Sequence, residues 1–201
     1  MQTKSKLITG YRARTYDFRG PLWNRIKVRH LSFVNPGPKQ RVLDVGCGTG
    51  KSLLLLSQKC DKSVELYGVE PSTDMLKQAK AQLDGNAKLE SGTAQALPYA
   101  DNYFDFVIST QVMHHLPTQE KKKMLKEMHR VLKPGGNIVV SDWGKPANLF
   151  GQLLNALWRG HAYVKENAVI LTPTAFRRAG FKNVTNEFLQ FGIIHHIQTT
   201  K

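Results

Sequence analysis

Two hydrophobic patterns alternate along most of the chain. Short apolar runs predict buried β-strands, and stretches whose apolar side chains recur every three or four positions predict amphipathic α-helices. The predicted strands cover 41–45, 63–70, 86–92, 103–110, 137–143, 183–190 and 192–199. The predicted helices cover 20–33, 51–58, 72–83, 118–132 and 172–179.

The order of these elements predicts an α/β fold. Strands that alternate with helices pair in parallel, and the helices cover both faces of the sheet. The last two strands are separated only by a short link around Gly192, which allows only an antiparallel hairpin. We therefore expect a mostly parallel sheet in which the last strand of the sequence is antiparallel.

A glycine-rich turn follows the first predicted strand and ends in Gly-Lys-Ser. A P-loop would require a glycine in place of Val45, and the dinucleotide fingerprint would require one in place of Lys51. The chain therefore departs from both phosphate-binding patterns by one position. The spacing that fits is an acid followed by glycines at alternate positions: Asp44, Gly46, Gly48 and Gly50.

Two acids at strand ends indicate the ligand of this turn. Asp44 and Glu70 lie at the carboxyl ends of the first and second predicted strands, where open α/β sheets bind ligands. A carboxylate beside the glycine turn would repel a diphosphate and suits a cationic ligand. S-adenosylmethionine carries a sulfonium and an ammonium group and no phosphate, and a carboxylate at the position of Glu70 typically holds ribose hydroxyls.

Five segments in order resemble the class I S-adenosylmethionine-dependent methyltransferases, within the group of ubiquinone and menaquinone biosynthesis enzymes (methyltransferase type 11). They are 42–50, 67–76, 92–110, 112–116 and 127–142. The resemblance implies a three-layer, Rossmann-like sandwich around a seven-stranded sheet, with the cofactor at the strand ends. It also implies methyl transfer from S-adenosylmethionine.

The resemblance implies roles for individual residues. Asp44 and its glycines would line the methionine part of the cofactor, Glu70 would hold the ribose, and the Ala94 N–H would face the adenine. Where the family usually has an aspartate that binds the adenine amino group, this chain has Thr93. The implied cofactor-binding residues are Asp44, Gly46, Cys47, Gly48, Gly50, Glu70, Pro71, Met75, Thr93, Ala94, Gln95, Thr110 and Gln111.

Methyl transfer is an in-line displacement that depends on alignment and on the exclusion of water. A general base is needed only where the acceptor must lose a proton. The candidates for that base are His114, His115, Asp142 and Tyr16, and the sequence does not rank them. A packing role for the two adjacent histidines is the alternative interpretation.

No metal site is expected. Adjacent histidines such as His114 and His115 point in different directions, and Asp142 is the lone acid at the ends of the fourth and fifth strands. His195 and His196, in the last strand, place their rings on opposite faces and are interpreted as structural.

The chain is interpreted as a single domain with four parts. These are a basic arm and helix (1–38), a cofactor-binding core (39–142), a lid (143–171) and a C-terminal helix with two strands (172–201). The lid segment is rich in large apolar residues, which favours a small lipophilic acceptor, although such residues can equally serve only to cover the sheet.

The net charge of +14 is concentrated at one end, because residues 1–41 carry ten basic residues and one acid. Such an arm suggests an anionic membrane surface, a nucleic acid or an acidic substrate as its partner, and a solvated tail without a partner is the plain alternative.

The leading hypothesis for the function is methylation of a small-molecule or lipid acceptor near an anionic membrane. The alternative is a methyltransferase or binder of RNA or another nucleic acid, which the proline-free sequence after the fourth strand disfavours. A non-catalytic protein with this fold is the third possibility.

The chain has two cysteines without metal-type spacing, an N-terminus without a secretory apolar core and no apolar stretch of about 20 residues. These features predict a cytoplasmic protein, with peripheral membrane association if the arm binds lipid.

Overall fold

The computed structural model describes residues 21–149, 151–153, 167, 169–189 and 192–201. Tyr16 and most of the lid segment lie outside these residues, so the interpretations that rest on them, and the four-part division of the domain, stay predictions.

The helices are α1 (Pro21–Leu31), α2 (Lys51–Lys59), α3 (Thr73–Leu83), α4 (Thr118–Val131) and α5 (Pro173–Arg178). The strands are β1 (Arg41–Val45), β2 (Glu65–Glu70), β3 (Lys88–Ser91), β4 (Phe104–Thr110), β5 (Leu132–Trp143), β6 (Lys182–Leu189) and β7 (Ile194–Thr200).

The seven strands form one sheet in the order β3-β2-β1-β4-β5-β7-β6. The first five pair in parallel, and β7 is antiparallel to both β5 and β6. The predicted fold class, with its reversed last strand, is confirmed. The strand order reverses between β1 and β4, which is where a sheet of this kind leaves a crevice for a ligand.

Helices cover both faces of the sheet, since successive strand residues point to opposite sides. On β1, Val42 packs with apolar residues of α1, α2 and α3. Its neighbour Leu43 packs with apolar residues of α4 and α5 on the other side. Both side chains are fully buried. We call the first side the α1 face and the second the α4 face.

Side-chain caps fix the starts of two helices as the sequence predicts. The Ser72 hydroxyl accepts a hydrogen bond from Met75 N at 3.4 Å at the start of α3. The Thr172 hydroxyl accepts one from Ala175 N at 3.2 Å at the start of α5. Each cap satisfies a backbone N–H that has no partner within its helix.

The start of β5 differs from the prediction. The strand begins at Leu132 rather than at residue 137, because Leu132 already pairs with Phe104 of β4 before the register shifts. Gly135 takes a φ of +76° within this irregular stretch, and its N–H donates to the carbonyl of Lys201. The Pro-Gly-Gly sequence at 134–136, whose residue types favour a turn, therefore forms the irregular first part of the strand.

The C-terminal end of α1 is held on the sheet by polar contacts. His30 is fully buried, and its Nδ1 lies 3.4 Å from Nδ1 of His196 on β7. The Lys59 ammonium donates to the carbonyl oxygens of Leu31 and Val34 at 3.1 and 3.2 Å, which satisfies carbonyls left open at the helix end.

Within the part of the chain that the structure describes, no helix is long and apolar enough to cross a membrane.

Candidate functional site

The glycine turn between β1 and α2 is held against β2. Gly46 N and Cys47 N both donate to the Val69 carbonyl, at 2.8 and 3.0 Å. Gly46, Gly48 and Gly50 have φ angles of +74°, +57° and +83°, a region that glycine enters without steric cost.

The three glycines differ in their surroundings. A Cβ on Gly46 would lie 2.5 Å from a methyl of Val112, and one on Gly50 would lie 2.8 Å from a methyl of Leu83. A Cβ on Gly48 would meet no atom within 4 Å. Gly46 and Gly50 are therefore required by packing, whereas Gly48 leaves its backbone open to a ligand.

Asp44 and Glu70 stand on either side of this turn. Asp44 is 2% exposed, and burial raises the pKa of its carboxyl to about 7, with Lys27 of α1 opposing the shift and Glu70 adding to it. The Glu70 carboxylate accepts hydrogen bonds from Gly48 N at 3.1 Å and Ser72 N at 3.0 Å. Burial also raises the pKa of Glu70, against those two hydrogen bonds. A cation at this place would favour the ionised form of both acids.

The residues expected beside the ribose and the adenine lie after β2 and β3, on the connecting loops and the first turn of α3. Met75 and Ala94 are buried, Pro71 is half-buried and Thr93 is exposed. The Thr93 backbone forms a bridge with Ala96. Gln95 is tied to α4, because its Nε2 donates to the Glu120 carboxylate at 2.9 Å. These residues lie on adjacent loops at the carboxyl edge, and their contacts with adenine stay a prediction.

The end of β4 carries polar atoms that are buried without a partner. Thr110 Oγ1 and Gln111 Nε2 have no hydrogen-bond partner among the described residues. Gln111 has a φ of +60°, and its N–H donates to the Ser141 carbonyl at 2.8 Å. A non-glycine residue in this region is uncommon and buried polar atoms normally find partners, so both features fit a place where a polar ligand binds.

His114 and Asp142 form a buried hydrogen-bonded pair beside the end of β5. His114 Nδ1 lies 2.8 Å from Asp142 Oδ1, and the same carboxylate accepts from His114 N at 3.2 Å and Trp143 N at 2.6 Å. Because the carboxylate accepts, Nδ1 carries the hydrogen and Nε2 keeps its lone pair. His115 is exposed, with its ring centroid 3.8 Å from that of His114. The structure therefore distinguishes two histidines that the sequence could not rank.

Asn167 lies beside the His114–Asp142 pair, and the sequence analysis did not identify it. Its Nδ2 donates to the Trp143 carbonyl at 2.8 Å and lies 3.5 Å from Asp142 Oδ1. It stands 25 positions after Asp142 in no recognisable motif, so no local pattern could have identified it.

Cys47 is a packed thiol within the turn. Burial raises its pKa, and the nearby acids Asp44 and Glu70 raise it further. The thiolate is therefore disfavoured, and packing is the role that its surroundings support. The described residues contain no group of three or more histidine, cysteine or acidic side chains placed to hold a metal ion.

The sequence and the fold match known methyltransferases. Residues 42–136 match the family described as "Methyltransferase domain". The chain is 33% identical to the demethylmenaquinone methyltransferase of Geobacillus kaustophilus over 197 residues, covering 82% of this chain and 83% of that relative. The chain belongs to the class I S-adenosylmethionine-dependent methyltransferases. Within that class it falls in the menaquinone and ubiquinone group, as its motifs indicate.

Solved structures share the fold. A methyltransferase from Aquifex aeolicus superposes with a TM-score of 0.71 at 20% identity, covering 95% of this chain and 98% of the other. The phosphoethanolamine N-methyltransferase 2 of Haemonchus contortus, in complex with S-adenosyl-L-methionine, gives 0.73 at 19% identity, covering 99% and 58%. The predicted enzyme class and cofactor are confirmed.

The residues around the turn fit this cofactor. The buried Asp44 and the half-buried Glu70 suit the sulfonium and ammonium charges, the open backbone at Gly48 permits close approach, and the unpartnered atoms of Thr110 and Gln111 can bond the polar methionine end. The individual cofactor contacts stay predictions, which the following substitutions test.

Two glycine variants of the methyltransferase separate an effect on cofactor binding from an effect on side-chain packing. Both Gly48→Ala and Gly50→Ala force alanine into the left-handed region, at about 1–2 kcal/mol each. Gly50→Ala must also displace Leu83, so we expect it to be the less stable variant in urea unfolding. Gly48→Ala should fold yet bind S-adenosylmethionine at least tenfold more weakly by calorimetry. Wild-type affinity in Gly48→Ala would show that the cofactor does not lie against this glycine.

Cofactor affinity should depend on pH through Asp44. Because its pKa is raised to about 7, lowering the pH from 7.5 to 5.5 protonates the carboxyl and removes the attraction for a cationic ligand. We expect calorimetry to show affinity falling about tenfold over this window. In Asp44→Asn, affinity should be low throughout and nearly independent of pH. An equal pH dependence in both proteins would assign the effect to another group.

Proposed function

We propose that this enzyme methylates a small, lipophilic aromatic acceptor that carries ring hydroxyls, a quinol in the simplest case. The observation that carries the proposal is the His114–Asp142 hydrogen bond beside the end of β5. An imidazole held by a carboxylate through Nδ1 is oriented to accept a proton at Nε2. Such a pair is useful where the acceptor must lose a proton, as a hydroxyl or an activated phenolic ring does.

The reaction needs little else from the chain. S-adenosylmethionine supplies an electrophilic methyl group on a sulfonium. With the cofactor bound, His114 Nε2 would take the acceptor's hydroxyl proton, and the oxygen would bond to the methyl carbon. Where the activated ring carbon bonds to the methyl instead, that carbon would then lose its own hydrogen as a proton and the ring oxygen would regain one. The carbon–sulfur bond electrons remain on sulfur, which leaves as the neutral thioether. Asp142 stabilises the imidazolium that forms, and Asn167 and Trp143 N hold that carboxylate in place.

Two further observations support a lipophilic acceptor. The relative that is 33% identical over most of both chains is named a demethylmenaquinone methyltransferase. Large apolar side chains are also exposed in the described part of the lid segment, where Leu149 and Leu153 are 82% and 58% exposed. Apolar side chains that cluster on a surface occur where it meets a membrane or an apolar ligand, whereas single exposed ones are ordinary.

The general base is tested by two conservative substitutions. We expect His114→Gln and Asp142→Asn each to lower kcat for a quinol acceptor by about a hundredfold or more, with KM for the cofactor changed little. The measurement is transfer of a labelled methyl group to a panel of quinols, phenols, amines and phospholipid headgroups. A greater loss in His115→Gln would move the base to the exposed histidine, and transfer only to amines or headgroups would end the quinol proposal.

We further propose that the acceptor is reached at an anionic membrane surface through the basic arm. Ten basic residues against one acid in residues 1–41 support this, since each basic residue near an anionic surface contributes about 1 kcal/mol. Arg12 and Arg14 of the arm lie outside the residues that the structure describes. The membrane proposal is therefore supported by the charge of the arm and not by its geometry.

Vesicle flotation at several salt concentrations tests the membrane proposal. We expect the enzyme to float with phosphatidylglycerol vesicles and not with phosphatidylcholine ones, and salt to abolish the association. Removing both charges in Arg12→Gln/Arg14→Gln should weaken flotation several-fold. The same charge loss on the exposed side of α4, in Lys122→Gln/Lys123→Gln, should not. Flotation unaffected by the arm, or tight binding to RNA in its place, would favour the nucleic-acid alternative.

A further inference from the structure

One basic side chain of α1 lies on the side of the helix that packs on the sheet. His30 is fully buried there, with its Nδ1 3.4 Å from Nδ1 of His196. Lys27 precedes His30 by three positions, which places both on the same side of the helix, and Lys27 is half-buried. The two arginines of α1, Arg25 and Arg29, are exposed. Lys27 is therefore turned toward the α1 face of the sheet.

Both acids beside the glycine turn point to this same face, because successive residues of a strand alternate between the two faces. Asp44 lies two positions after Val42, which packs on the α1 face. Glu70 directly follows Val69, which packs on the α4 face. Lys27 thus approaches, from α1, the crevice in which the two acids stand.

The electrostatics of the neighbouring groups agree with this placement. Burial raises the pKa of Asp44 to about 7, and Lys27 opposes that shift. Burial lowers the pKa of His30, and repulsion from His196 and Lys27 adds to the shift. Interactions between charges weaken with distance, so the Lys27 ammonium lies near groups of both β1 and α1. It is a cation built into the crevice, next to the acid expected to attract the cofactor.

A cation at this place suits a part of the cofactor that the acids cannot bind. S-adenosylmethionine carries a carboxylate beside its ammonium group, and Asp44 and Glu70 would repel that carboxylate. A zwitterionic amino-acid group is held best by an acid and a base that stand side by side, each making a charge-assisted hydrogen bond. Asp44 and Lys27 supply such a pair.

The end of β4 adds hydrogen-bond donors near this pair. Thr110 lies on the α1 face, two residues after Ile108, which is the partner of Asp44 in the adjacent strand. Thr110 Oγ1 and Gln111 Nε2 are buried and have no hydrogen-bond partner among the described residues. An amide nitrogen can only donate and a hydroxyl is able to donate, so both atoms suit an anionic oxygen.

We propose that Lys27 binds the carboxylate of S-adenosylmethionine beside Asp44, which attracts the neighbouring ammonium. Such a contact involves the cofactor of the family and is independent of the acceptor. It makes α1 a part of the cofactor site, so that the bound cofactor is joined to the helix that follows the basic arm.

A cofactor analogue separates the carboxylate from the rest of the molecule. Decarboxylated S-adenosylmethionine keeps the sulfonium, the ammonium and the adenosine and lacks only the carboxylate. Calorimetry with the full chain at pH 7.5 and physiological salt measures the affinity for each ligand. We expect the wild type to bind S-adenosylmethionine about tenfold more tightly than the analogue, as one charge-assisted hydrogen bond provides. In Lys27→Gln this preference should disappear or reverse, because the acids then repel the carboxylate unopposed.

The ratio of the two affinities isolates the carboxylate. Loss of Lys27 also favours protonation of Asp44 and weakens its attraction for the ammonium, but both ligands carry that ammonium, so the ratio cancels this effect. Arg25→Gln removes the same charge from an exposed position of the same helix and should keep the wild-type ratio. Lys51→Gln removes a second half-buried lysine, at the start of α2 beside the glycine turn, and should also keep it.

Three results would overturn the inference. An unchanged ratio in Lys27→Gln, or loss of both ligands alike, would show that Lys27 does not act on the carboxylate. Tighter binding of both ligands by Lys27→Gln would show that the lysine competes with the cofactor for Asp44. An equal loss of preference in Arg25→Gln or Lys51→Gln would assign the effect to overall charge or to the other lysine. None of these measurements involves turnover, so a failure of the proposed quinol acceptor leaves them unaffected.

Discussion

The site depends on a carboxylate buried where the strand order of the sheet reverses. Asp44 ends β1 beside β4, and burial raises its pKa to about 7 because water no longer stabilises its charge. Lys27 offsets part of that cost from α1. A sulfonium cofactor bound beside Asp44, as proposed, would offset more of that cost, since a cation in a partly dehydrated crevice interacts more strongly with the acid than it would in water. The proposed cofactor contact would therefore complete an electrostatic balance that the fold leaves open.

The reversed last strand places two histidines beside the carboxyl end of β5. In a purely parallel sheet, β5 would end beside another strand running the same way. Here β7 runs against it, so its His195 and His196 lie beside Asp142 and Ser141 near the carboxyl end of β5. His195 is bonded to the Lys145 carbonyl at 2.8 Å and to Asn186 at 3.2 Å, contacts that fit the structural role expected for it. His196 faces α1, where its Nδ1 lies 3.4 Å from that of His30, and its Nε2 has no hydrogen-bond partner among the described residues.

The sequence was most informative where a single residue type carries a single physical requirement. The starts of two helices at Ser72 and Thr172 and the antiparallel hairpin around Gly192 follow from local rules, and the structure agrees with each. Departure from the two phosphate motifs by one position disfavoured a phosphate ligand, and the acids Asp44 and Glu70 at the strand ends indicated a cationic one.

The remaining features depend on partners distant in the sequence. His30 meets His196 across 166 positions, and Asn167 meets Asp142 across 25, so neither contact leaves a periodic or spaced signal. The early start of β5 has the same origin, since Leu132 pairs with Phe104 although Pro-Gly-Gly favours a turn. The choice of His114 over His115 also required the tertiary structure, because only the fold brings one of them to Asp142.

The overall charge and the charge of the site have opposite signs, and they act on different partners. The chain carries +14, yet the ends of β1, β2 and β5 each carry an acid: Asp44, Glu70 and Asp142. Salt screens exposed charges beyond about 8 Å under physiological conditions, whereas buried acids are screened much less. Binding of the cofactor is thus decided by the local acids and should persist in salt. The basic arm can act only at a surface and should lose its effect as salt rises.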